Sequence, residues 1–189
     1  MLRDLGLTLT VEEAHEMFLG KTVAGVLDAI AARTGTAPSA GFTYNWAFAT
    51  AHAFMRELRP VPYVRAALEE LVRRGHPLSV ASQSPLARVR MSLEVAGLAE
   101  FFGERIFVTS MVARPKPAPD IYLLAAQRMQ LAPAACVVVE DSPAGAAAAF
   151  AAGMRAILYA PGDSGARSAG KVRVMRSMDE LPGIIAALH

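Results

Sequence analysis

The chain has 189 residues, of which 53% are apolar and 19% are charged, and its formal net charge is +2. This composition predicts a well-packed globular protein and argues against an intrinsically disordered chain. The sequence shows no apolar run long enough for a membrane span, no secretory signal in its first 20 residues and no dense basic patch, so we expect neither a membrane nor a nucleic-acid partner. A single cysteine, Cys136, makes an intramolecular disulfide impossible and favours a cytoplasmic location.

Residues 1–59 show helical patterns and no strand pattern. Thr22–Arg33 and Gly41–Leu58 each place apolar side chains on one face of a helix, and Gly35 ends the first of these two helices. We therefore predict an all-helical domain over residues 1–59.

From residue 60 onward, predicted helices alternate with short apolar strands. The strands are predicted at residues 78–81, 106–109, 136–139 and 156–159. Because alternating strands and helices favour parallel pairing, we predict an α/β fold over residues 60–189, with a doubly wound, parallel, Rossmann-like sheet. The run Cys136–Val139 is continuously apolar, which predicts a strand buried on both faces.

Polar residues follow the first predicted strand. Ser82, Gln83 and Ser84 stand directly after it and precede a helix that we expect Ser84 to cap, with Pro85 at its first position. Ligands of parallel sheets bind at the carboxyl ends of the strands, and amides at a helix N-terminus favour anions. These residues are candidates for binding a phosphate; the plainer alternative is that Ser84 is only a helix cap and Ser82 only a turn residue.

Two adjacent carboxylates follow the strand at 136–139. Burying Glu140 and Asp141 at such a position costs free energy unless the two carboxylates are paired or bind a cation. Carboxylate oxygens of this kind are suitable ligands for Mg²⁺. The alternative is that Asp141 or Ser142 merely caps the next helix, which has Pro143 at its start.

Lys116 lies in Arg114–Asp120, a segment with three prolines. The prolines stiffen this loop and hold the ammonium group at the start of a helix, where it can contact a phosphate or restrain a carboxylate. The alternative is an ordinary solvated lysine.

Three segments, Val80–Pro85, Arg114–Asp120 and Val139–Gly145, have the order and spacing of motifs two, three and four of the haloacid dehalogenase superfamily. The chain resembles the sugar-phosphatase and β-phosphoglucomutase-like branch of that superfamily over nearly its whole length. This resemblance implies that residues 60–189 form the α/β core and that residues 1–59 form the helical cap.

The resemblance also implies roles for the candidate residues. Ser82 hydrogen-bonds the transferring phosphoryl group, Lys116 offsets charge on the phosphate and on the nucleophile, and Glu140 and Asp141 hold Mg²⁺ directly or through water. The implied activity is Mg²⁺-dependent hydrolysis of a small phosphorylated metabolite, expected to be a sugar phosphate, through an aspartyl-phosphate.

The cap loop of the family closes over the substrate, and Gly20 and Lys21 match it. The arginine that mutase-like relatives use there for a second phosphate is not obvious in Lys21–Val23. Hydrolysis is therefore favoured over the alternative, a phosphosugar mutase.

The nucleophile of the family, the first aspartate of an Asp-x-Asp segment, has no counterpart in residues 1–189. Asp4 and Asp28 follow no apolar strand and have no second aspartate two residues later. We expect this chain by itself to be inactive. The segment also forms the first, central strand of the family's sheet, so we expect that strand to be missing and two strand edges to stay unpaired or to pair directly.

Three hypotheses remain open. The first is a phosphatase whose chain begins upstream of Met1. The second is a non-catalytic relative that binds phosphate or is completed by a partner, which is favoured by Tyr63 and Pro115 at positions where the family usually has glycine. The third is an unstable fragment. The substrate and the oligomeric state are not predictable from the sequence.

Overall fold

The computed structural model of the chain describes residues 2–18, 21–162 and 172–188. These residues form two compact units, Met1–Leu58 and Arg59–His189. None of the helices in the described ranges combines the length and the apolar character needed to cross a bilayer.

The described residues of the first unit form three α-helices and a short 3₁₀ turn at Arg3–Leu5. The helices are α1 (Val11–Phe18), α2 (Val23–Thr34) and α3 (Ala40–Glu57). Helix α2 begins where Thr22 Oγ1 accepts the Gly25 N–H at 3.1 Å, and it ends at Gly35, whose φ of 73° suits glycine. The helices expected at Thr22–Arg33 and Gly41–Leu58 thus form within one residue of the predicted ends.

Burial in the first unit is uneven. Val26 and Ile30 of α2 are buried, whereas α3 has no fully buried residue. Tyr44 and Phe48 of α3 are 72% and 67% exposed. An apolar stripe predicts a helix correctly here, but it does not show that the stripe is covered.

The second unit alternates helices and strands, as predicted. Its helices are α4 (Val64–Arg73), α5 (Leu86–Val95), α6 (Ala99–Phe102), α7 (Asp120–Arg128), α8 (Pro143–Ala151) and α9 (Leu181–Ala186). Its strands are β1 (Val80–Ser82), β2 (Ile106–Val108), β3 (Val137–Glu140), β4 (Arg155–Tyr159) and β5 (Val172–Met175). Short 3₁₀ turns lie at Thr109–Met111, Pro133–Ala135 and Met178–Glu180.

Every strand pair in the described residues is parallel. Strand β1 pairs with β2, with Val80 opposite Ile106, and β3, β4 and β5 pair in that order. Within the described ranges β1 and β3 do not pair, so the strands form two separate sheets.

Small and branched side chains fill the interior of the second unit. Ala148 and Ala149 of α8 are fully buried, because the alanines let this helix approach the sheet closely. Ile157 of β4 and Met175 of β5 are at most 1% exposed.

Two predictions in this unit are wrong, and one strand was missed. Strand β5 was not predicted, since Val172–Met175 is short and contains an arginine. Helix α5 begins at Leu86 with Pro85 as its N-cap residue, so Ser84 does not cap it. Finally, β3 is not buried on both faces, because Val139 is 38% exposed. Among the described residues β3 pairs with β4 alone, which leaves its other edge open.

Candidate active site

The centre of the candidate site is an ion pair between Lys116 and Glu140. Glu140 ends β3, and Lys116 lies in the loop before α7. The Lys116 ammonium contacts Glu140 Oε1 and also donates to the Ala81 carbonyl of β1 at 3.1 Å. The two side chains are only 7% and 9% exposed. One lysine thus links the carboxyl ends of β1 and β3.

Glu140 is held by two further donors. The Tyr122 hydroxyl donates to Oε1 at 2.5 Å, and the Ser142 hydroxyl donates to Oε2 at 3.0 Å. Burial by itself raises the pKa of Glu140, but the charge of Lys116 and the hydrogen bonds from Lys116, Tyr122 and Ser142 outweigh it. The pKa of Glu140 is therefore below its usual value, and the carboxylate stays ionised near neutral pH.

Tyr122 is a site residue that the sequence did not reveal. It lies on α7, is 5% exposed, and its ring centroid is 4.8 Å from Lys116 Nζ. Burial and the nearby Glu140 charge raise the pKa of Tyr122, so its hydroxyl remains a donor. In the sequence it is one apolar position among several on a predicted helix, which gives no signal of this role.

Gly145 is a second residue whose role was missed. It lies in the first turn of α8, which Ser142 caps as predicted, by accepting the Gly145 N–H at 3.1 Å. A Cβ atom at position 145 would overlap the carboxyl group of Glu140. The available signal was a glycine inside an otherwise alanine-rich helix.

Ser82, Gln83 and Ser84 form the turn after β1 and are all half-buried. Ser82 Oγ accepts the Ser84 N–H at 3.1 Å, and its neighbour Ala81 is bound to Lys116. The structure therefore brings Ser82 next to the Lys116–Glu140 pair. The use of Ser82, Gln83 and Ser84 in phosphate binding stays a prediction.

Asp141 differs from Glu140 because its side chain is exposed. Within the described ranges, no three His, Cys, Asp or Glu side chains converge on a common point where a metal ion could bind. The metal-binding role of Glu140 and Asp141 stays a prediction.

The loop that carries Lys116 is held at both ends. Arg114 makes a two-pronged ion pair with Asp120, with Nη2 2.7 Å from Oδ1, and this pairing lowers the pKa of Asp120. The Lys116–Pro117 peptide bond is cis. Tyr63 and Pro115 are the two residues that stand where the family usually has glycine. The φ of Tyr63 is 65°, a left-handed conformation that suits glycine better than tyrosine.

Two further substrate-binding residues, Gly20 and Lys21, were predicted in the cap loop. Lys21 is exposed in the first unit, between α1 and α2. Gly20 lies outside the described residues. Substrate binding by both stays a prediction.

Comparison with known proteins agrees with these motifs. The family model for haloacid dehalogenase-like hydrolases matches residues 6–153. The chain is 41% identical over 106 residues to hexitol phosphatase A of Escherichia coli, an alignment that covers 55% of this chain and 48% of that protein. It is 38% identical over 103 residues to a fructose-1-phosphate phosphatase of the same organism, covering 53% and 52% of the two chains.

A solved structure with bound phosphate is also similar. The structure of a haloacid dehalogenase family hydrolase from Deinococcus radiodurans, which holds phosphate and sodium, is 31% identical with a TM-score of 0.76. That alignment covers 98% of this chain and 84% of the other. By contrast, this chain spans about half the length of the two curated phosphatases that it matches.

Proposed function

This chain belongs to the haloacid dehalogenase-like hydrolases, and from this premise we propose that it forms the phosphate- and Mg²⁺-binding part of a sugar-phosphate phosphatase. The proposal draws support from the names of similar proteins, which include a hexitol phosphatase and a fructose-1-phosphate phosphatase. The hydrolysed substrate would be a small phosphorylated sugar or sugar alcohol.

One observation carries the proposal. Lys116 contacts both Glu140 and the carbonyl next to Ser82, so residues from three distant sequence segments meet at the carboxyl ends of two strands. Ligands of parallel sheets bind at this edge. If these segments served only as a helix cap and a solvated lysine, they would not have to lie in contact with one another.

The donor atoms present fit a magnesium ion that keeps part of its water shell. Mg²⁺ takes one or two carboxylates together with waters and phosphate oxygens. Asp141 is exposed and would supply a direct ligand, whereas Glu140 already accepts from Lys116, Tyr122 and Ser142 and would bind through water. When bound, the ion would neutralise charge on the phosphate oxygens.

The residues of this chain would bind and orient the phosphate. The Ser82 hydroxyl would donate to a phosphate oxygen, and the Lys116 ammonium would offset the negative charge that gathers around the phosphorus. The attacking aspartate is not among residues 1–189 in the family's sequence context. It would come from a segment outside this range, so residues 1–189 alone would bind phosphate without hydrolysing its esters.

The test compares two forms of the protein. The protein purified from its own cells is weighed by intact-mass spectrometry and assayed for phosphate release from hexitol phosphates and fructose 1-phosphate, with Mg²⁺ and with a chelator. A recombinant chain of residues 1–189 is assayed in parallel. We expect Mg²⁺-dependent release by the native protein if its mass exceeds that of residues 1–189, and none by the recombinant chain.

Variants connect the activity to the site. Lys116→Gln in the active form is expected to lower kcat/KM by at least a hundredfold, since removal of one charge-stabilising donor costs about that much. Arg90→Gln removes a cation from an exposed ion pair and serves as the matched control. Hydrolysis by residues 1–189 alone, or equal activity of the two variants, would contradict the proposal. A native mass equal to that of residues 1–189, with phosphate binding but no turnover, would support the non-catalytic alternative instead.

A further inference from the structure

Tyr122 contacts both members of the buried Lys116–Glu140 pair. Its ring centroid is 4.8 Å from Lys116 Nζ, and its hydroxyl donates to Glu140 Oε1 at 2.5 Å. Phenylalanine would fill the same space and offer the same ring to the ammonium group, and it would bury no polar atom. The hydroxyl is therefore the feature of Tyr122 that packing does not explain.

The Tyr122 hydroxyl occupies an acceptor site that Lys116 could otherwise take. A carboxylate oxygen accepts about two hydrogen bonds. Glu140 Oε1 accepts one from the Lys116 ammonium and one from Tyr122. All three side chains are buried, so water does not easily replace either donor. Tyr122 thus limits the ammonium group to a single hydrogen bond with Glu140.

The carboxylate of Glu140 is also held from its other side. Ser142 Oγ donates to Glu140 Oε2 at 3.0 Å. Gly145 approaches so closely that a Cβ atom there would overlap the carboxyl group. Rotation of the carboxylate toward α8 is therefore blocked, and its orientation toward Lys116 depends on the Tyr122 hydroxyl.

The Lys116 ammonium has three N–H donors. One contacts Glu140 Oε1, and another donates to the Ala81 carbonyl at 3.1 Å. Among the residues that the structure describes, these two oxygens are its hydrogen-bond acceptors. Ser82, the predicted phosphate contact, follows Ala81 directly. The third N–H can therefore serve a phosphate oxygen beside Ser82.

Removal of the Tyr122 hydroxyl would open the second acceptor site on Oε1. An unsatisfied carboxylate oxygen is costly in a buried site, so the nearest donor would move to it. That donor is the Lys116 ammonium, which already contacts Oε1. A second hydrogen bond to Glu140 would engage the third N–H or break the bond to the Ala81 carbonyl.

We propose that Tyr122 is a positioning residue whose hydroxyl keeps one N–H of Lys116 available for a phosphoryl oxygen. Tyr122 would touch neither the phosphate nor a metal ion, and it would act through Glu140 and Lys116. The placement of Lys116 depends on the contacts described above, whereas its effect on a bound phosphate rests on the proposed function.

The Lys116 ammonium can be observed directly by NMR spectroscopy. The sequence contains three lysines, Lys21, Lys116 and Lys171. Residues 1–189 labelled with ¹⁵N at lysine Nζ should therefore give few ammonium signals, and Lys116→Gln identifies the one that belongs to Lys116. We expect Tyr122→Phe to shift this signal in the absence of phosphate. Tyr159→Phe, whose hydroxyl lies outside the cluster, is the matched control and should leave the signal unchanged.

Inorganic phosphate provides the second readout. Titration with phosphate should move the Lys116 signal of the wild-type chain and of Tyr159→Phe. Tyr122→Phe should bind phosphate about tenfold more weakly, since it loses about one hydrogen bond to a charged group. In the form of the protein that hydrolyses sugar phosphates, Tyr122→Phe should lower kcat/KM by about tenfold to a hundredfold, because a misplaced catalytic group loses transition-state stabilisation.

A double-variant cycle shows whether Tyr122 acts through Glu140. In the Glu140→Gln background the hydroxyl no longer competes with Lys116 for a charged oxygen. Tyr122→Phe should then weaken phosphate binding by clearly less than it does in the wild-type chain. Full additivity of the two losses would overturn the positioning role.

Circular dichroism checks that each variant folds. Ring-fluorinated tyrosine, incorporated in place of tyrosine, keeps the shape of the residue and makes its hydroxyl a stronger donor. It should also shift the Lys116 signal, and it tests the same inference where Tyr122→Phe does not fold. A Lys116 signal that neither change moves would overturn the inference.

The two proposals fail separately. An identical Lys116 signal in the wild-type chain and in Tyr122→Phe, recorded without phosphate, would overturn the role of Tyr122 alone. A wild-type Lys116 signal that saturating phosphate does not move would overturn the proposed function, even where Tyr122→Phe shifts that signal. Equal shifts in Tyr122→Phe and Tyr159→Phe would indicate general loosening of the unit and would also overturn the role of Tyr122.

Discussion

Two ion pairs of the α/β unit make similar contacts in different surroundings. The side chains of Lys116 and Glu140 are 7% and 9% exposed, whereas those of Arg90 and Glu104, with Nη2 2.5 Å from Oε2, are 47% and 87% exposed. Water and salt screen an exposed pair, which contributes about 0–1 kcal/mol. A buried charge that loses its partner is far more costly. The burial of an ion pair, more than the distance between its charged groups, therefore decides how much stability is lost when one partner is removed.

The largest expected effect comes from Lys116→Met. It leaves Glu140 buried without its cation, and we expect the free energy of unfolding to fall by about 3–5 kcal/mol. Urea denaturation followed by circular dichroism measures this loss. The double variant with Glu140→Leu should recover most of it, because both charges are then removed from the interior.

Arg90→Met is the surface counterpart and should cost at most about 1 kcal/mol. A loss of similar size in Lys116→Met and Arg90→Met would show that burial does not separate the two regions.

A somewhat smaller effect is expected from Gly145→Ala. The new methyl group would overlap the Glu140 carboxyl group and push it from its donors, at a cost of about 1–3 kcal/mol. Gly183→Ala is the control, since nothing lies within 4 Å of a Cβ atom there and alanine favours the helix by up to about 1 kcal/mol. Thermal unfolding of both variants checks the opposite signs. A stabilised Gly145→Ala variant would argue against the packing of α8 on Glu140.

Tyr122→Phe should weaken the buried region without removing its charges. It deletes the hydroxyl that donates to Glu140, and a hydrogen bond to a charged group contributes about 1.5–3 kcal/mol. The aromatic ring beside Lys116 remains, which places the expected loss at the low end of that range. The check is urea denaturation of Tyr122→Phe beside Tyr159→Phe, whose hydroxyl lies outside this cluster. Equal losses would contradict a special role for Tyr122.

The smallest expected effect is the dependence of stability on pH and salt through the buried Glu140 and the surface residue Glu70. The pKa of Glu140 is lowered in the folded chain, and that of Glu70 on the surface is lowered to about 2 by hydrogen bonds from Arg73 and Arg74. A lowered carboxyl pKa contributes stability that is present above the unfolded value and lost as the pH falls through the folded value. Stability should therefore decline below about pH 4.5 because of both residues.

Salt separates the two contributions. The measurement is the slope of unfolding free energy against pH for Glu140→Gln and Glu70→Gln at about 0.05 M and about 0.5 M NaCl. Glu70→Gln should change the slope mainly at low salt, and Glu140→Gln at both. A salt-sensitive Glu140 contribution would mean that water reaches this carboxylate freely.

Strand ends were the most predictable feature of the candidate site. Ser82, Lys116 and Glu140 each had a plainer alternative, and they were identified by the combined order and spacing of their three segments. The structure brings these three segments together. The parallel α/β fold was likewise predictable from the alternation of apolar runs and helix caps, and it is confirmed by the family match and by the similar solved structure.

Contacts made by residues outside the three motif positions were not predictable. Tyr122 acts through its hydroxyl, which a helical pattern does not distinguish from a core aromatic. The exposure of Val139 depends on which strand lies beside β3, and the composition of β3 contains no such information. Ser84 is not the helix cap because α5 begins one residue later than predicted, at Leu86, which places Pro85 at the N-cap position.

The uneven burial of α3 has an optical consequence. Trp46, the one tryptophan in the sequence, lies half-buried on this helix in the first unit, while the one cysteine, Cys136, lies half-buried in the second. Each unit thus carries a single natural reporter, a fluorophore in one and a thiol in the other. Tryptophan emission and the rate of thiol labelling, recorded along one denaturant series, would follow the melting of the two units independently.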